Sequence, residues 1–196
     1  MSKMTPVLFF AVSCMLLAFT LPTESYRVDL DKSTVSWTGY KVTGKHTGTL
    51  SLSEGSLEMA DGRIAGGAFK FDMSSITVTD LEGGGKSKLE GHLKSDDFFG
   101  VEKFPSGNFN ITSVSRGKDE GNINITGDLT LKGITQPISF PASVTMDDAG
   151  ISAEAMIKVD RTKYNIRYGS GSFFDNLGDN AIYDEFDLNI TLKASK

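Results

Sequence analysis

Apolar and polar residues alternate with period two through most of this chain, and that constrains the fold more than any other feature. In Asn122 to Leu131, Ile123, Ile125, Leu129 and Leu131 share one face, while Asn122, Asn124, Thr126, Asp128 and Thr130 share the other. The next run places Ile138, Phe140, Val144 and Met146 together, followed by Ile151, Ala153, Ala155, Ile157 and Val159. Phe186, Leu188, Ile190 and Leu192 repeat the pattern near the end, as do Val35 with Trp37, Phe69 with Phe71, and Phe109 with Ile111 near the start. One apolar and one wet face per run means antiparallel sheet over a one-sided core.

Turn signals separate these runs where hairpins need them: Thr43-Gly44-Lys45, Glu54-Gly55, Asp61-Gly62, Gly117 to Gly121, and Asp148-Ala149-Gly150. About eight strands joined this way form either a sandwich or a closed up-and-down barrel. Periodicity alone does not choose between them, although closure removes the exposed edges that such long strands would otherwise present. The length fits one all-β domain.

The N-terminus falls outside this pattern. Lys3 precedes a continuous apolar run, Val7 to Leu21, which ends at Pro22 and polar Thr23-Glu24-Ser25. The run is short for a membrane span, which needs about 20 apolar residues, and suits the core of a secretory signal. Residues 1–25 are therefore expected to be a signal peptide, with cleavage between Thr20 and Tyr26, and residues 26–196 a single domain outside the cytoplasm, periplasmic or secreted. The only cysteine, Cys14, lies inside the apolar run. "AVSC" loosely matches a lipoprotein cleavage box, but the run continues through Met15 to Leu21, against a polar linker after an acylated terminus. Cleavage beyond Cys14 leaves no cysteine for disulfides, thiol catalysis or metal binding.

Charge narrows the partners. A net charge of −5 with scattered Lys and Arg provides no basic stripe for nucleic acid. Catalytic signals are sparse. His46 and His92 are the only histidines, and neither sits in a metal-ligand spacing. "GSGSF" around Ser170 and Ser172 lacks the strand-to-helix turn of a nucleophile elbow. Gly83 to Gly85 lacks a following phosphate-binding Lys-Ser/Thr pair. Three Asn-Ile-Thr triplets, beginning at Asn110, Asn124 and Asn189, are explained by strand alternation without glycosylation.

Two segments break the strand pattern. Lys86 to Gly100 places Leu89 and Leu93 on one face of a short helix, and Arg161 to Glu185 is a long irregular stretch. Both are expected to cap barrel ends, the second with an ordinary surface connection as its alternative. The inner face also carries small residues at mid-strand: Gly67, Gly127, Ala142, Ala153 and Ala155. An eight-stranded barrel is only just wide enough to be filled by side chains. Trimming those side chains leaves a channel, whereas the alternative assigns the small residues to barrel taper or a packed helix. The channel is the preferred reading, with Phe98, Phe99, Phe173 and Phe174 as candidates to close one end.

Two motifs add a family resemblance. "HLKSDDFFGVEKFPSGNF" carries Ser95, Phe98, Phe99, Phe104, Pro105 and Phe109, and "GDLTLKGITQPISF" carries Gly127, Leu129, Thr130, Gly133, Thr135 and Pro137. With the hairpin "WTGYKVTGKHTGTLSL", which holds His46 and Gly48, they resemble the YceI-like family over about Tyr26 to Lys196. "KVDRTKYNIRYG" matches least well: Arg161 fits, but Tyr164-Asn165 stands where phenylalanine-glycine is more usual. The resemblance implies an eight-stranded antiparallel lipocalin-like barrel with short helical lid segments that binds a polyisoprenoid or related lipid. It makes Trp37, Phe69, Phe71, Phe98, Phe99 and Phe140 candidates for the chain site, and Lys45, His46 and Arg161 for the polar head. No cofactor is expected beyond the bound lipid. Transient membrane contact and a dimeric state are both compatible with this reading. The alternatives are an enzyme using His46 as acid or base on a lipid inside the barrel, and a stress-related envelope protein with a filled interior.

Overall fold

The computed structural model describes residues 23–196; the expected apolar leader core and Cys14 lie outside the described residues. Nine strands and one α-helix follow in the order β1 (Glu24–Val28), β2 (Thr34–Lys41), β3 (Gly44–Ala60), β4 (Arg63–Val78), α1 (Gly83–Lys94), β5 (Ser106–Arg116), β6 (Asn122–Leu131), β7 (Ile134–Asp147), β8 (Gly150–Asp160) and β9 (Ile182–Ser195). The sheet runs β2-β9-β8-β7-β6-β5-β4-β3, and antiparallel pairing of β2 with β3 closes it into a barrel. β1 pairs with the far halves of β3 and β9, collinear with β2 and separated from it by the turn at Asp29 to Ser33. Nine strands therefore make eight staves, the first of them broken. β1 starts at Glu24 and pairs it with Met59.

Turn chemistry fixes the register. Asp61 and Gly62, at φ 50° and 69°, link β3 to β4, and Lys132 and Gly133, at φ 50° and 73°, link β6 to β7. Consecutive left-handed residues make the turn whose twist matches antiparallel strands. A one-residue slip would carry every apolar side chain to the wet face. Along β6 the alternation holds, with Ile125, Leu129 and Leu131 buried. Met146, expected on the inner row of β7, is exposed at the strand's end.

The small inner residues serve two different ends. A Cβ on Gly127 would lie 2.4 Å from the Phe109 ring, and one on Gly67 would lie 3.2 Å from the Ile111 side chain. These two glycines house neighbouring side chains, whereas Ala142, Ala153 and Ala155 border open space. At the barrel end near β1, Val28, Leu57, Met59, Ile64, Ile151, Leu192 and Ala194 pack into a floor.

The helix is anchored from its polar side. Glu90 accepts hydrogen bonds from Val78 N at 2.8 Å and Thr77 Oγ1 at 2.9 Å, while Leu93 is buried. α1 stops at Lys94, where Ser95 N turns back to the carbonyls of Gly91 and His92. The double phenylalanine therefore follows the helix. In this non-helical turn Phe98 and Phe99 meet edge to face at 5.2 Å, and both face the barrel interior.

Candidate functional site

The barrel holds two chambers in series, each about 80 Å³. They share Phe71, Leu129 and Leu188, which form the waist between them. The lower chamber, next to the floor, is lined by Phe69, Phe109, Phe140, Ala142, Ala153 and Ala155 among others. Apart from outward-facing Glu154, its lining residues are all apolar. Phe109 stands between Phe69 and Phe140, with ring centroids 6.3 Å and 5.6 Å away. Together the linings run from Ile182 to Leu192 on β9, roughly 30 Å along the strand.

The upper chamber also presents apolar surface, but Trp37 and Arg161 are among its lining residues. Trp37, Phe98, Phe99 and Arg161 line it with Leu93 and Phe186. Gly48 lets Trp37 lie flat against β3, since a Cβ there would sit 2.4 Å from the indole ring. Trp37 Nε1 is buried and has no hydrogen-bond partner among the described residues. A buried N–H left unpaired is costly, so it is a ready donor to any acceptor that reaches it.

Arg161 is 1% exposed. It donates from Nε to Tyr183 O at 3.0 Å, from Nη1 to Ile166 O at 2.8 Å and from Nη2 to Ile182 O at 2.9 Å. Asp184 Oδ1 lies 3.6 Å from Nη2. Burial lowers the arginine pKa, opposed by the charges of Asp184 and Asp160, and an arginine stays protonated regardless. Burial also works to raise the pKa of Asp184, but hydroxyl hydrogen bonding and the Arg161 charge outweigh it and hold the carboxyl below its usual value. Nearby Tyr164 is buried with its hydroxyl unpartnered among the described residues, and burial pushes its pKa up to about 12. Tyr164 fills the place where the resemblance implied phenylalanine.

The candidate residues thus divide by place. Phe69 and Phe140 line the lower chamber, Trp37, Phe98, Phe99 and Arg161 the upper, and Phe71 both. Lys45 and His46 line neither. Lys45 is exposed at the β2–β3 turn, and His46 Nδ1 lies 2.9 Å from Asp80 Oδ2. Phe173 and Phe174 are 44% and 50% exposed, with Arg167 over the Phe173 ring, and border neither chamber. His92 packs edge to face on Tyr168 at 4.4 Å and on Phe98 at 5.6 Å. Sequence reasoning did not single out Leu129 and Leu188 as the waist, because alternation marks a residue as inward without giving its depth along the axis. Among the described residues no group of three or more His, Cys, Asp or Glu side chains is arranged to hold a metal ion.

Comparison with known proteins agrees with this architecture. The YceI-like domain model matches residues 26–194. Protein YceI of Escherichia coli is 40% identical over 88 residues, covering 41% of this chain and 44% of that protein. A UPF0312 protein of Shewanella denitrificans is 36% identical over 84 residues, covering 39% and 44%. The aligned part thus spans less than half the length of these relatives. Among solved structures, Burkholderia cenocepacia BcnA superimposes with TM-score 0.70 at 20% identity, covering 86% of this chain and 99% of that one. A polyisoprenoid binding domain from Saccharophagus degradans, implicated in plant cell wall breakdown, superimposes with TM-score 0.64 at 14% identity, covering 87% and 97%. Matched over nearly its whole barrel, the chain belongs to the YceI-like family.

Proposed function

We propose that this protein binds an isoprenoid lipid inside the barrel and carries it outside the cytoplasm. The observation that carries the reading is the pair of apolar chambers in series, of which only the upper has Trp37, with its unpartnered indole N–H, and Arg161 among its lining residues. An amphipathic chain with one polar end matches that gradient. Each methylene moved from water into such surroundings contributes about 0.8 kcal/mol, so few polar contacts are needed. The polyisoprenoid binding of the Saccharophagus degradans domain, which has the same fold, supports this ligand class.

The chambers also state what binding requires. Two spaces of about 80 Å³ are small beside the ~150 Å³ apolar cavity that takes up benzene. A chain spanning both must turn the side chains of Phe71, Leu129 and Leu188 aside. In the bound state the chain fills the lower chamber and passes the waist, and the polar end accepts a hydrogen bond from Trp37 Nε1 near the Arg161 charge. The catalytic alternative gains nothing from the geometry, since His46 borders neither chamber. The apolar leader supports placement outside the cytoplasm.

Native mass spectrometry of protein purified from its own host, with extraction of the bound lipid, tests the proposal. An isoprenoid adduct is expected, and intact mass should show a chain starting between Thr20 and Tyr26. Protein that is ligand-free and fails to take up geranylgeraniol or a prenylated quinone would refute it.

A further inference from the structure

The axial ends of the barrel are closed. Val28, Met59, Ile151 and Ala194 fill the floor, while α1 and the Phe98-Phe99 turn cover the other end. The upper chamber nevertheless includes Tyr40, Tyr183 and Glu185 in its lining. Tyr183 and Glu185 are exposed, on the opposite parity of β9 from inward Phe186 and Leu188. Unlike the single outward residue Glu154 of the lower chamber, these three gather at one seam, between β2 and β9, where the wall of the upper chamber is thinnest.

The break lies between β2 and β9. Their pairing is regular from Thr34 opposite Thr191 to Gly39 opposite Phe186, and the next pair is Lys41 opposite Ile182. β2 advances two residues there while β9 advances four, so Tyr183 to Glu185 bulge away from β2. On its other edge β9 stays paired, with Phe186 opposite Val159 and Glu185 opposite Asp160. β8 ends there, so Tyr183 and Asp184 have no strand partner on either edge, and on the outer face Tyr40 Oη donates to Asp187 Oδ2 at 2.7 Å across the seam. Arg161 holds the carbonyls of Ile182 and Tyr183, so it fixes the shape of the gap. Bulges at barrel rims commonly end pairing and re-aim side chains at functional sites.

Gly39 stands at the opening. A Cβ there would meet no atom within 4 Å, and its φ is not in the left-handed region. Neither backbone conformation nor close packing requires glycine at this place. Gly39 shares the inward parity of Val35 and Trp37 and lines the upper chamber, so what its missing side chain provides is open space on the chamber side of the bulge.

We infer that Gly39 marks a lateral portal between β2 and β9 through which the lipid chain passes into and out of the upper chamber. The portal's use for isoprenoid rests on the proposed function, but its existence as a path to the chamber does not. A side chain at position 39 starts in open space and needs no left-handed backbone, and a large one narrows the passage.

Trp37, the only tryptophan in the chain, lines the upper chamber and reports on access. Quenching of its fluorescence by trichloroethanol, a small neutral apolar quencher, is measured in the parent protein and in Gly39→Ala, Gly39→Leu and Gly39→Phe. Loading of geranylgeraniol from detergent is followed in the same proteins. A graded fall in quenching, severalfold by Gly39→Phe, with equally slowed loading and an unchanged thermal midpoint, is the expected result. If Gly39→Phe lowers the midpoint, Gly39→Leu carries the comparison. Quenching and loading at parental rates in folded Gly39→Leu and Gly39→Phe would overturn the portal. Blocked quenching in a protein that never takes up isoprenoid would leave the portal standing and refute the lipid assignment instead.

Discussion

The guanidinium of Arg161 lies over the ring of Phe98, 5.7 Å from its centroid, and ties the irregular segment before β9 to the double-phenylalanine turn after α1. Two stretches that the sequence leaves as separate caps are thus one assembly. The buried cation satisfies three carbonyls while presenting an apolar-facing surface to the chamber. Its first role is to hold the wall, and any attraction to a lipid head comes on top of that.

Arg161→Met should therefore be destabilising as well as impairing binding. The change leaves Ile166, Ile182 and Tyr183 carbonyls without their donor and Asp184 without its cation. Breaking a buried charge pair from one side costs about 3–5 kcal/mol. Arg161→Lys should recover only part of this, because an ammonium cannot reproduce the planar fork. Urea unfolding of both variants checks the order; a fully stable Arg161→Met would remove the clamp.

The barrel was legible in the sequence because a period of two, repeated across most strands, leaves one inward face on each. The inward placement of the aromatics that line the chambers followed from the same alternation and from the family motifs. Depth along the barrel axis was not legible, since strands of different length and a broken first stave shift one residue against another. That is why Lys45 and His46, grouped with Arg161 as head-group candidates, lie at the β2–β3 hairpin and border neither chamber. The bulge at Gly39 escaped for a related reason: a register slip between β2 and β9 depends on two segments far apart in sequence. Phe173 and Phe174, candidates for closing the barrel, are exposed because the segment around them turns on Ser170 O rather than folding over the chamber.

Phe98 and Phe99 should differ when truncated. Phe98 is 8% exposed and touches His92, Phe99 and Arg161. Phe99 is half-buried and meets Phe186 edge to face at 6.4 Å. Phe98→Ala should cost about 3–5 kcal/mol, as for other buried aromatic truncations. Phe99→Ala should cost less and show its main effect as faster lipid release. Stopped-flow dissociation beside thermal melts separates the two. Equal stability losses with no change in release would contradict this division.

Acid should weaken the barrel through Asp187 on its outer face. Its carboxylate accepts from Lys158 Nζ at 2.9 Å and from Tyr40 Oη at 2.7 Å, bridging β9 to β8 and β2. The Lys158 hydrogen bond, with help from Tyr40 and against burial, lowers its pKa. A carboxyl whose folded pKa is depressed contributes stability above its unfolded value, and that stability is lost as pH falls through the folded one. Asp187→Asn should accordingly be less stable than the parent at neutral pH, with the gap narrowing once pH drops below the ordinary carboxylate range of about 3.9. Unfolding midpoints measured from neutral to strongly acidic pH test this, and a gap independent of pH would assign the loss to packing instead.

Ala153→Phe tests whether the lower chamber is used. Ala153 lies opposite Leu192 on β9 and Val144 on β7, and its side chain borders the open space. A phenyl group there occupies the volume that the distal end of a lipid chain would take. In a filled interior the same change would be an overpacking substitution costing about 1–3 kcal/mol. Space beside Ala153 predicts a smaller cost, together with loss of long-chain binding and retention of short ligands that fill the upper chamber alone. Geranylgeraniol should therefore lose affinity severalfold in Ala153→Phe, while geraniol should bind both proteins alike. Should both alcohols bind the variant as they bind the parent, the chain must lie elsewhere than the lower chamber.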